Sequence, residues 1–315
     1  MNEEENQMED MEDEQELEEA EQIEEPEQPR RPETPSPQVE LDWKMEAADF
    51  ADAIKAVEAV VAYGLEAKET REATFHVDAD GIQVSSMDQS RVGMVMFDLR
   101  KHGFEEFHVK TPGLICFNSN DIKSSLKGVK RTVRDEDGTI KTEGDKLNLQ
   151  IRTVDSHIDM ILALSGNGYD RTWNLRAIES ESDEAVPEPK LTFNVKFTAE
   201  AAKLKRILAD AALTGASAVK VTAENNEVVF KADGDDTAKM FTGKLPRESG
   251  LFSLEMKEPA TATYNIGFLL NIISNVPKTA ETVTFSFSKD RPCKIEAAGH
   301  FDKLTYYVAP RIESE

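Results

Sequence analysis

The chain has 315 residues, of which 39 % are hydrophobic and 31 % are charged, and its formal net charge is −24. This length predicts one large domain or two of ordinary size. The negative charge argues against a protein that wraps nucleic acid over its whole surface. No stretch approaches the roughly 20 apolar residues that span a bilayer. The N-terminal residues also lack a basic and then apolar export signal, so we expect no export.

The negative charge is concentrated at the N-terminus. Residues 1–42 contain 18 acidic residues against Arg30 and Arg31, which leaves a net charge of −8 for the other 273 residues. We predict that residues 1–42 form a disordered acidic tail, because scattered apolar residues cannot bury enough surface to offset the entropy of ordering. Two interpretations of the tail stay open, a solubilising segment and an interaction segment that mimics the charge of DNA.

Helix-type and strand-type patterns follow in chain order. Apolar spacing predicts helices over 49–62, from 118–121 onward, from Thr198 to about Leu213, and over Asn265–Asn275. Alternating or short apolar runs predict strands over 73–77, 82–86, 92–99, 146–153, 158–164, 169–175, 191–197, 219–223, 228–232, 240–245, 253–256, 283–288, 293–298 and 304–308. Asp135–Gly138 fails the spacing of a calcium-binding loop and predicts a hairpin turn instead.

The same order of elements occurs twice, on either side of an acidic stretch that contains Pro187 and Pro189. We therefore predict an α+β fold of two similar domains, each with antiparallel sheets and two helices. The predicted boundaries are a first domain over 43–174, a connector over 175–191 and a second domain over 192–315. The absence of regular strand–helix–strand alternation argues against a doubly wound fold.

No motif for catalysis, cofactor binding or metal binding is found in the sequence. Gly166-Asn167-Gly168 lacks the third glycine and the lysine of a phosphate loop, and the five histidines are dispersed. Cys116 and Cys293 show no ligand spacing and are interpreted as buried thiols in a reducing compartment. We predict a protein that is not an enzyme and has no cofactor. An active site assembled from distant residues remains the alternative.

Basic residues recur at spacings of about four along the predicted second helix, namely Lys123, Lys127, Lys130, Arg131 and Arg134. Lys203 and Arg206 repeat this pattern on a smaller scale in the third helix. Such a stripe indicates a surface that faces phosphates, although an ordinary solvated helix face has the same pattern. The first helix contributes Lys55, with Asp52 and Glu58 on the same helix.

Three segments resemble the proliferating cell nuclear antigen family. Gly81–Leu99, with the sequence GIQVSSMDQSRVGMVMFDL, is similar to the central-loop region of that family. Gly299–Glu315 resembles the end of the family's sequences through its run Tyr-Tyr-Val-Ala-Pro-Arg-Ile. Ala185-Val186-Pro187 matches the end of the family's interdomain connector. The order and spacing of the three fit across residues 43–315.

The resemblance implies a DNA sliding clamp, a polymerase processivity factor that encircles duplex DNA and tethers replication and repair enzymes. It implies the DNA-clamp fold and a head-to-tail homotrimer, which forms a pseudo-six-fold ring with helices around its central hole. DNA contact would then be independent of base sequence, because phosphate contacts carry no sequence information. The DNA-facing residues implied are Lys55, Lys123, Lys127, Lys130, Arg131, Lys203 and Arg206.

The resemblance also implies a pocket for partner peptides of the PIP-box type, from DNA polymerase, ligase, nuclease and clamp loader. Its implied residues are Met87, Arg91, Val92, Met94, Ala185, Val186, Pro277, Tyr307, Ala309 and Pro310. Met87 and Tyr307 could equally be core residues. Subunits would join by pairing the strands 169–175 and 228–232, with Tyr169, Arg171, Trp173, Val228 and Phe230 at the interface.

An alternative function is an acidic-tailed interaction protein with the clamp fold, or a subunit of a heteromeric ring that does not encircle DNA alone. The resemblance to archaeal clamps implies an archaeal cytoplasm, or a nucleus if the host is eukaryotic. Two segments depart from the family pattern. The acidic tail and the hairpin over 131–145 are given no role by the resemblance.

Overall fold

The computed structural model describes residues 39–65, 69, 71–154, 157–166, 168–178, 187–234, 239–276, 280–299 and 302–311. The predicted tail through residue 38 and the connector residues 179–186 lie outside the described residues. The predicted tail boundary at residue 42 is wrong, because a strand begins at Glu40 and pairs with strands on both sides. Leu41 is buried in this strand, so the apolar alternation starts before Trp43.

The described residues form four α-helices, as predicted. They are α1 (Ala47–Val61), α2 (Ser119–Ser125), α3 (Ala201–Ala212) and α4 (Ile266–Ser274). The side-chain oxygens of Asn118 and Asn265 cap α2 and α4 by accepting backbone N–H groups at 3.1 and 2.9 Å. Such caps satisfy N–H groups that have no partner within the first turn of a helix.

The prediction that Thr198 caps α3 is wrong. The helix begins three residues later, after Glu200, and Thr198 lies in the preceding strand. Its hydroxyl oxygen is 3.0 Å from that of Thr284 on the neighbouring strand. A threonine hydroxyl can form a hydrogen bond either to the backbone at the start of a helix or to a side chain on a neighbouring strand. A threonine in the sequence therefore does not distinguish the two.

The β-strands of the described chain pair antiparallel throughout. They are β1 (Glu40–Glu46), β2 (Glu72–Val77), β3 (Gly81–Met87), β4 (Gly93–Arg100), β5 (Glu106–Thr111), β6 (Gly113–Asn118), β7 (Val133–Arg134), β8 (Ile140–Thr142), β9 (Lys146–Val154), β10 (His157–Gly166), β11 (Tyr169–Arg176), β12 (Val195–Glu200), β13 (Ala218–Glu224), β14 (Glu227–Asp233), β15 (Met240–Pro246), β16 (Ser253–Met256), β17 (Ala260–Asn265), β18 (Thr282–Phe287), β19 (Cys293–Ala298) and β20 (Asp302–Val308).

Three large sheets carry the fold. One has the order β11-β10-β9-β1-β5 and belongs to the first half of the chain, and one has the order β15-β14-β13-β17 and belongs to the second. The third has nine strands, β16-β12-β18-β19-β20-β4-β3-β2-β6, and contains strands of both halves. β7 and β8 form a separate two-stranded ribbon, joined by the predicted turn at Asp135–Gly138.

The two halves of the chain meet along β4 and β20, which pair over seven residues. The helices form one row over this junction in the order α2, α1, α4, α3. The Tyr306 hydroxyl donates to the Ala56 carbonyl of α1 at 2.8 Å, and the side-chain amide of Asn271 in α4 donates to the Ala59 carbonyl at 2.8 Å. One hydrophobic core therefore runs through both halves.

Within the described residues, no helix has the length and apolar character needed to cross a bilayer. Both cysteines are buried free thiols.

Candidate nucleic-acid and partner interfaces

The basic residues of the helix row lie mainly at its two ends. α4 has no charged residue. Lys55 is the one basic residue of α1, and its ammonium lies 3.2 Å from the Asp52 carboxylate one turn away. At one end of the row, α2 and the turn after it carry exposed Lys123, Lys127 and Lys130. The row is therefore not uniformly basic. In its middle, α4 is apolar and the charge of Lys55 in α1 is neutralised by Asp52.

The prediction that one helix carries the whole basic stripe is wrong. α2 ends at Ser125, and a turn follows in which Gly128 adopts a positive φ of 81° that favours glycine. Lys127 lies in this turn, and Arg134 lies in β7. The exposed face of α2 itself therefore presents Lys123 alone among these cations.

Arg131 does not point freely toward solvent. Its guanidinium forms ion pairs with Asp49 and, at 2.9 Å, with Asp52, both on α1. Its side chain is 32 % exposed. Two carboxylates already neutralise the guanidinium, so Arg131 is less available to an anion than the exposed lysines, and its DNA-facing role stays a prediction.

At the other end of the row, α3 exposes Lys203, Lys205 and Arg206 while Leu204 and Leu208 are buried. Lys203 forms a weak ion pair with Glu200, with 3.5 Å between nitrogen and oxygen. Arg206, Lys205 and Lys127 form no ion pair with any described residue. Among the cations of the helix row, these three are the most available to an anionic ligand.

β11 and β15 are edge strands, and each has one side without a pairing partner in the described chain. β11 ends the first sheet, and its Tyr169 and Trp173 side chains are 60 % and 46 % exposed. β15 ends the sheet of the second half, and Met240 is 77 % exposed there. Unpaired N–H and C=O groups along such edges are available to another chain.

The predicted edge strand over 228–232 is wrong. β14 lies between β13 and β15, and it pairs with both. Val228 and Phe230 are 0 % and 1 % exposed, so neither can contact another subunit. The edge strands of this sheet are instead β15 and β17.

Several predicted pocket residues do come together, on the face of β3, β4 and β20 that points away from the main core. Met87 and Tyr307 are both paired with Met94 across neighbouring strands. The three side chains form a small apolar cluster with Met96, Leu191 and Phe193, separate from the main core. The alternating residues Val95 and Tyr306 enter the main core instead, as the period of two in a strand requires.

The rim of this cluster is formed by the central loop and the last described residues. The Ala309 amide donates to the Val92 carbonyl at 2.7 Å. Arg91 is exposed and adopts a φ of 56°, while Pro310 is half-buried. Asp88 is buried and accepts the backbone amides of Ser90 and Gly93, which fixes the loop. Ala185, Val186 and Pro277 lie outside the described residues.

Two family models match the chain in succession. The model for "Proliferating cell nuclear antigen, N-terminal domain" matches residues 65–166, and the model for the C-terminal domain of the same protein matches residues 186–311. The chain belongs to the proliferating cell nuclear antigen family. The resemblance drawn from the three sequence segments is thereby confirmed.

Relatives and solved structures agree with this membership. The "DNA polymerase sliding clamp" of Pyrococcus furiosus is 29 % identical over 243 residues, which cover 77 % of this chain and 90 % of the relative. The proliferating cell nuclear antigen of Thermococcus kodakaraensis has a similar fold, with a TM-score of 0.70, 23 % identity and coverage of 86 % and 100 % of the two chains. A chain from the complex of PCNA2 and PCNA3 of Sulfolobus tokodaii has a TM-score of 0.69, with 23 % identity and 86 % of this chain covered. These structural likenesses confirm the two-domain clamp fold.

The sequence analysis of this member of the proliferating cell nuclear antigen family missed several residues that lie in or beside the apolar cluster. Met96 shares the face of Met94 at a spacing of two, so strand alternation could have identified it. The Tyr307 hydroxyl donates to the Glu188 carboxylate at 2.7 Å, and the Lys294 ammonium lies 3.2 Å from the same oxygen. No local pattern links these three residues, which come from distant parts of the chain.

These polar contacts have electrostatic consequences at the edge of the cluster. The Tyr307 hydroxyl, and secondarily the Lys294 ammonium, hold the pKa of the Glu188 carboxylate below its ordinary value. Burial, with the hydrogen bond to Glu188 as a second cause, raises the pKa of Tyr307 to about 12. At neutral pH the Glu188 carboxylate is therefore ionised, and it attaches the last described part of the connector to β20.

Beneath the basic end of the helix row lies a buried carboxylate that the sequence analysis treated only as a neighbour of Lys55. Glu58 is 3 % exposed and accepts hydrogen bonds from Arg71 at 2.8 Å, Lys123 at 3.2 Å and the Ser119 hydroxyl. It thus joins α1 to the start of β2 and to α2. Lys123 is both a surface cation and part of this network.

Proposed function

We propose that the chain is a DNA sliding clamp whose copies join head to tail into a trimeric ring around duplex DNA. The observation that supports this best is the position of the free edges. Among the edge strands of the described chain, β11 belongs to the first half and β15 to the second, so these two edges are not equivalent. Pairing one with the other generates a heterologous contact, which closes into a ring when the rotation permits.

The same pairing explains where the cations lie. α2 packs against β11, and α3 packs against β15. A sheet continued from β11 into β15 of the neighbouring copy therefore brings α2 beside the α3 of that copy. Lys123, Lys127 and Lys130 then approach Lys203 and Arg206 of the neighbouring copy. The ring gains three basic patches, one at each seam, and such patches bind phosphates without reading the base sequence.

The first experiment is the solution mass of the chain by light scattering after size exclusion. A homotrimer gives three times 35.2 kDa, about 106 kDa. Trp173→Glu on β11 should shift the population to folded monomer, because it places a charge in the seam. Phe252→Glu is the matched control, since Phe252 is 69 % exposed and lies on neither edge strand. A wild-type monomer would exclude the homotrimer and favour a heteromeric ring.

The second experiment tests encirclement. Subunits dissociated by dilution are allowed to reassociate in the presence of nicked circular DNA, and the DNA is then cut at one site. A ring that encloses DNA stays on the circle through a salt wash and leaves after the cut. Retention that does not depend on circularity would contradict encirclement and would favour a protein with the clamp fold that binds DNA only at its surface.

We further infer that the cluster of Met87, Met94 and Tyr307 receives the apolar anchor of a partner peptide. Methionine side chains adapt to an inserted ring, and an aromatic anchor buried in such a pocket dominates binding. Polymerase, ligase, nuclease and clamp-loader peptides of the PIP-box type have this chemistry. Met87→Glu should weaken binding of a fluorescent peptide of this type at least tenfold, by about 1.4 kcal/mol, whereas Phe252→Glu should not. Equal binding by both variants would exclude this face.

The chain carries out no chemistry in this function. It holds enzymes on DNA by the topology of the ring and by the peptide pocket. Any partner enzyme tethered in this way should bind DNA for longer, with no change in its rate at the active site.

A further inference from the structure

A hairpin that follows α2 is built as a rigid projection. It comprises Arg131–Asp145 and contains the β7–β8 ribbon. Its neck is closed by the Lys130 amide, which donates to the Asp145 carboxylate at 2.9 Å, and by the Asp145 amide, which donates back to the Lys130 carbonyl at 2.9 Å. The Thr132 amide also donates to the Glu46 carboxylate at 2.9 Å. With the ion pairs of Arg131 to α1, these bonds fix the direction of the hairpin.

The tip of the hairpin is ordered by its own hydrogen bonds. The Asp135 carboxylate accepts the amides of Asp137 at 3.2 Å and Thr139 at 2.9 Å. Gly138 has a φ of 81°, and the Arg134 guanidinium donates to its carbonyl at 3.0 Å. The two strands are short, two and three residues long, so each spans less than about 10 Å at about 3.3 Å per residue. A preordered element of this kind loses little entropy on binding.

The hairpin exposes apolar and acidic groups. Val133 and Ile140 are 50 % and 47 % exposed, and the ribbon pairs with no other described strand. Residues 134–143 contain two basic and four acidic residues, with the acidic run Asp135-Glu136-Asp137 at the tip. An acidic tip is repelled by phosphates, so DNA is a poor partner for it.

The neck of the hairpin lies beside the start of β11. Gly128, Asp145, Gly166 and Tyr169 line one small cavity together with Arg171. The Arg171 guanidinium also donates to the Lys127 carbonyl at 3.3 Å, just before the neck. The hairpin therefore starts at the proposed seam between copies, where β11 would pair with β15 of the next chain.

On the other side of that seam, the flank of α3 facing β15 can be identified from its packing. A side chain at Gly243 of β15 would meet Ile207 of α3 at 3.2 Å. Lys203 precedes Ile207 by four residues and so shares this flank. Pairing the edges would bring Lys127 and Lys130 close to Lys203 and Arg206 of the neighbouring copy. The seam would then concentrate like charges, which an acidic group between them would offset.

We propose that the hairpin docks on a second copy of this chain, with its acidic tip against the Lys203 flank of α3 and its apolar arms covering the seam. This inference rests on the proposed ring, and it adds a contact beyond edge-strand pairing. The docked hairpin would strengthen each contact between neighbouring copies and limit the repulsion between the basic residues that meet there.

A charge exchange tests the docking in the full-length chain. Mass photometry over a nanomolar dilution series gives the concentration at which half of the rings have dissociated. Glu136→Lys and Lys203→Glu should each raise this midpoint by about fivefold, and the double variant should return it to within about twofold of the wild type. Replacing residues 133–142 with two glycines removes the apolar arms as well and should raise it by about tenfold or more.

Glu106→Lys is the matched control, because Glu106 is exposed on β5, at the opposite edge of the same sheet from β11. A hairpin deletion and a Glu136→Lys variant that both match this control would overturn the docking while leaving the ring in place. Hairpin variants that change retention on circular DNA without moving the midpoint would overturn it in favour of a DNA contact. A wild-type chain that forms no trimer at any concentration would overturn the ring and the docking together.

Discussion

Replacing Glu58 with alanine is expected to destabilise the chain more than any exposed charge change. The carboxylate is 3 % exposed, and its nearest cation, Arg71, has a side chain only 9 % exposed. Removing one partner of a buried pair costs about 3–5 kcal/mol, because the other charge stays buried. Loss of the ion pair with Lys123 adds little to this free-energy cost, since the Lys123 side chain is 45 % exposed and can turn to water. The expected loss is therefore about 4 kcal/mol, close to a thousandfold in the unfolding equilibrium.

Urea unfolding followed by circular dichroism measures this loss at a fixed chain concentration, which keeps assembly constant. Lys123→Ala should cost below about 1 kcal/mol, and Glu106→Ala serves as the exposed control. The double variant Glu58→Leu with Arg71→Met should recover most of the stability, because apolar side chains of similar size replace the pair. The reasoning is refuted if Glu58→Ala behaves like Glu106→Ala, or if the double variant loses the sum of the two single losses.

Two further predictions concern the surfaces. Lys127→Glu and Arg206→Glu should each reduce retention on circular DNA and lower the salt dependence of binding by about one unit of slope per lost phosphate contact, whereas the exposed turn variant Lys289→Glu should not; equal loss in all three would point to net charge alone. The carboxylate of Glu188 should titrate at a lower pH than an ordinary glutamate, so its contact with β20 is complete above the ordinary pKa and is lost as the pH falls through the lowered one. Tyr307→Phe should move this midpoint upward in an NMR titration of the carboxyl carbon, and an unchanged midpoint would contradict the assigned cause.

The fold was largely predictable because its local signals agree with one another. The four helices follow from apolar spacing, and Asn118 and Asn265 mark two of their starts by capping. Eight strands of the nine-stranded sheet also appear as short or alternating apolar runs, whereas β6 (Gly113–Asn118) was not predicted. The order of strands within a sheet was not predictable in the same way. Val228–Phe230 is apolar at only three consecutive positions, which is too short a run to distinguish a central strand from an edge strand.

The candidate surfaces were predictable only where chain-local spacing determines them. Met87 and Met94 were identified because the family motif includes them, but Glu188 and Lys294 join that surface from distant positions. The basic stripe was extended too far, since Gly128 ends the helical region. Arg131 is paired with Asp49 and Asp52, which lie 82 and 79 residues earlier in the chain. Long-range ion pairs of this kind leave no periodic signal in the sequence.

The junction of β4 and β20 has a mechanical consequence for a ring built from this chain. Seven paired residues and a continuous core make each copy a stiff arc, with no compliant joint at its middle. A ring of three such arcs can bend appreciably only where one arc meets the next. Loading onto DNA then requires a gap at a single joint while the other two act as hinges. Spontaneous escape should occur at three times the opening rate of one joint, and one defective copy per ring should be enough to dominate it.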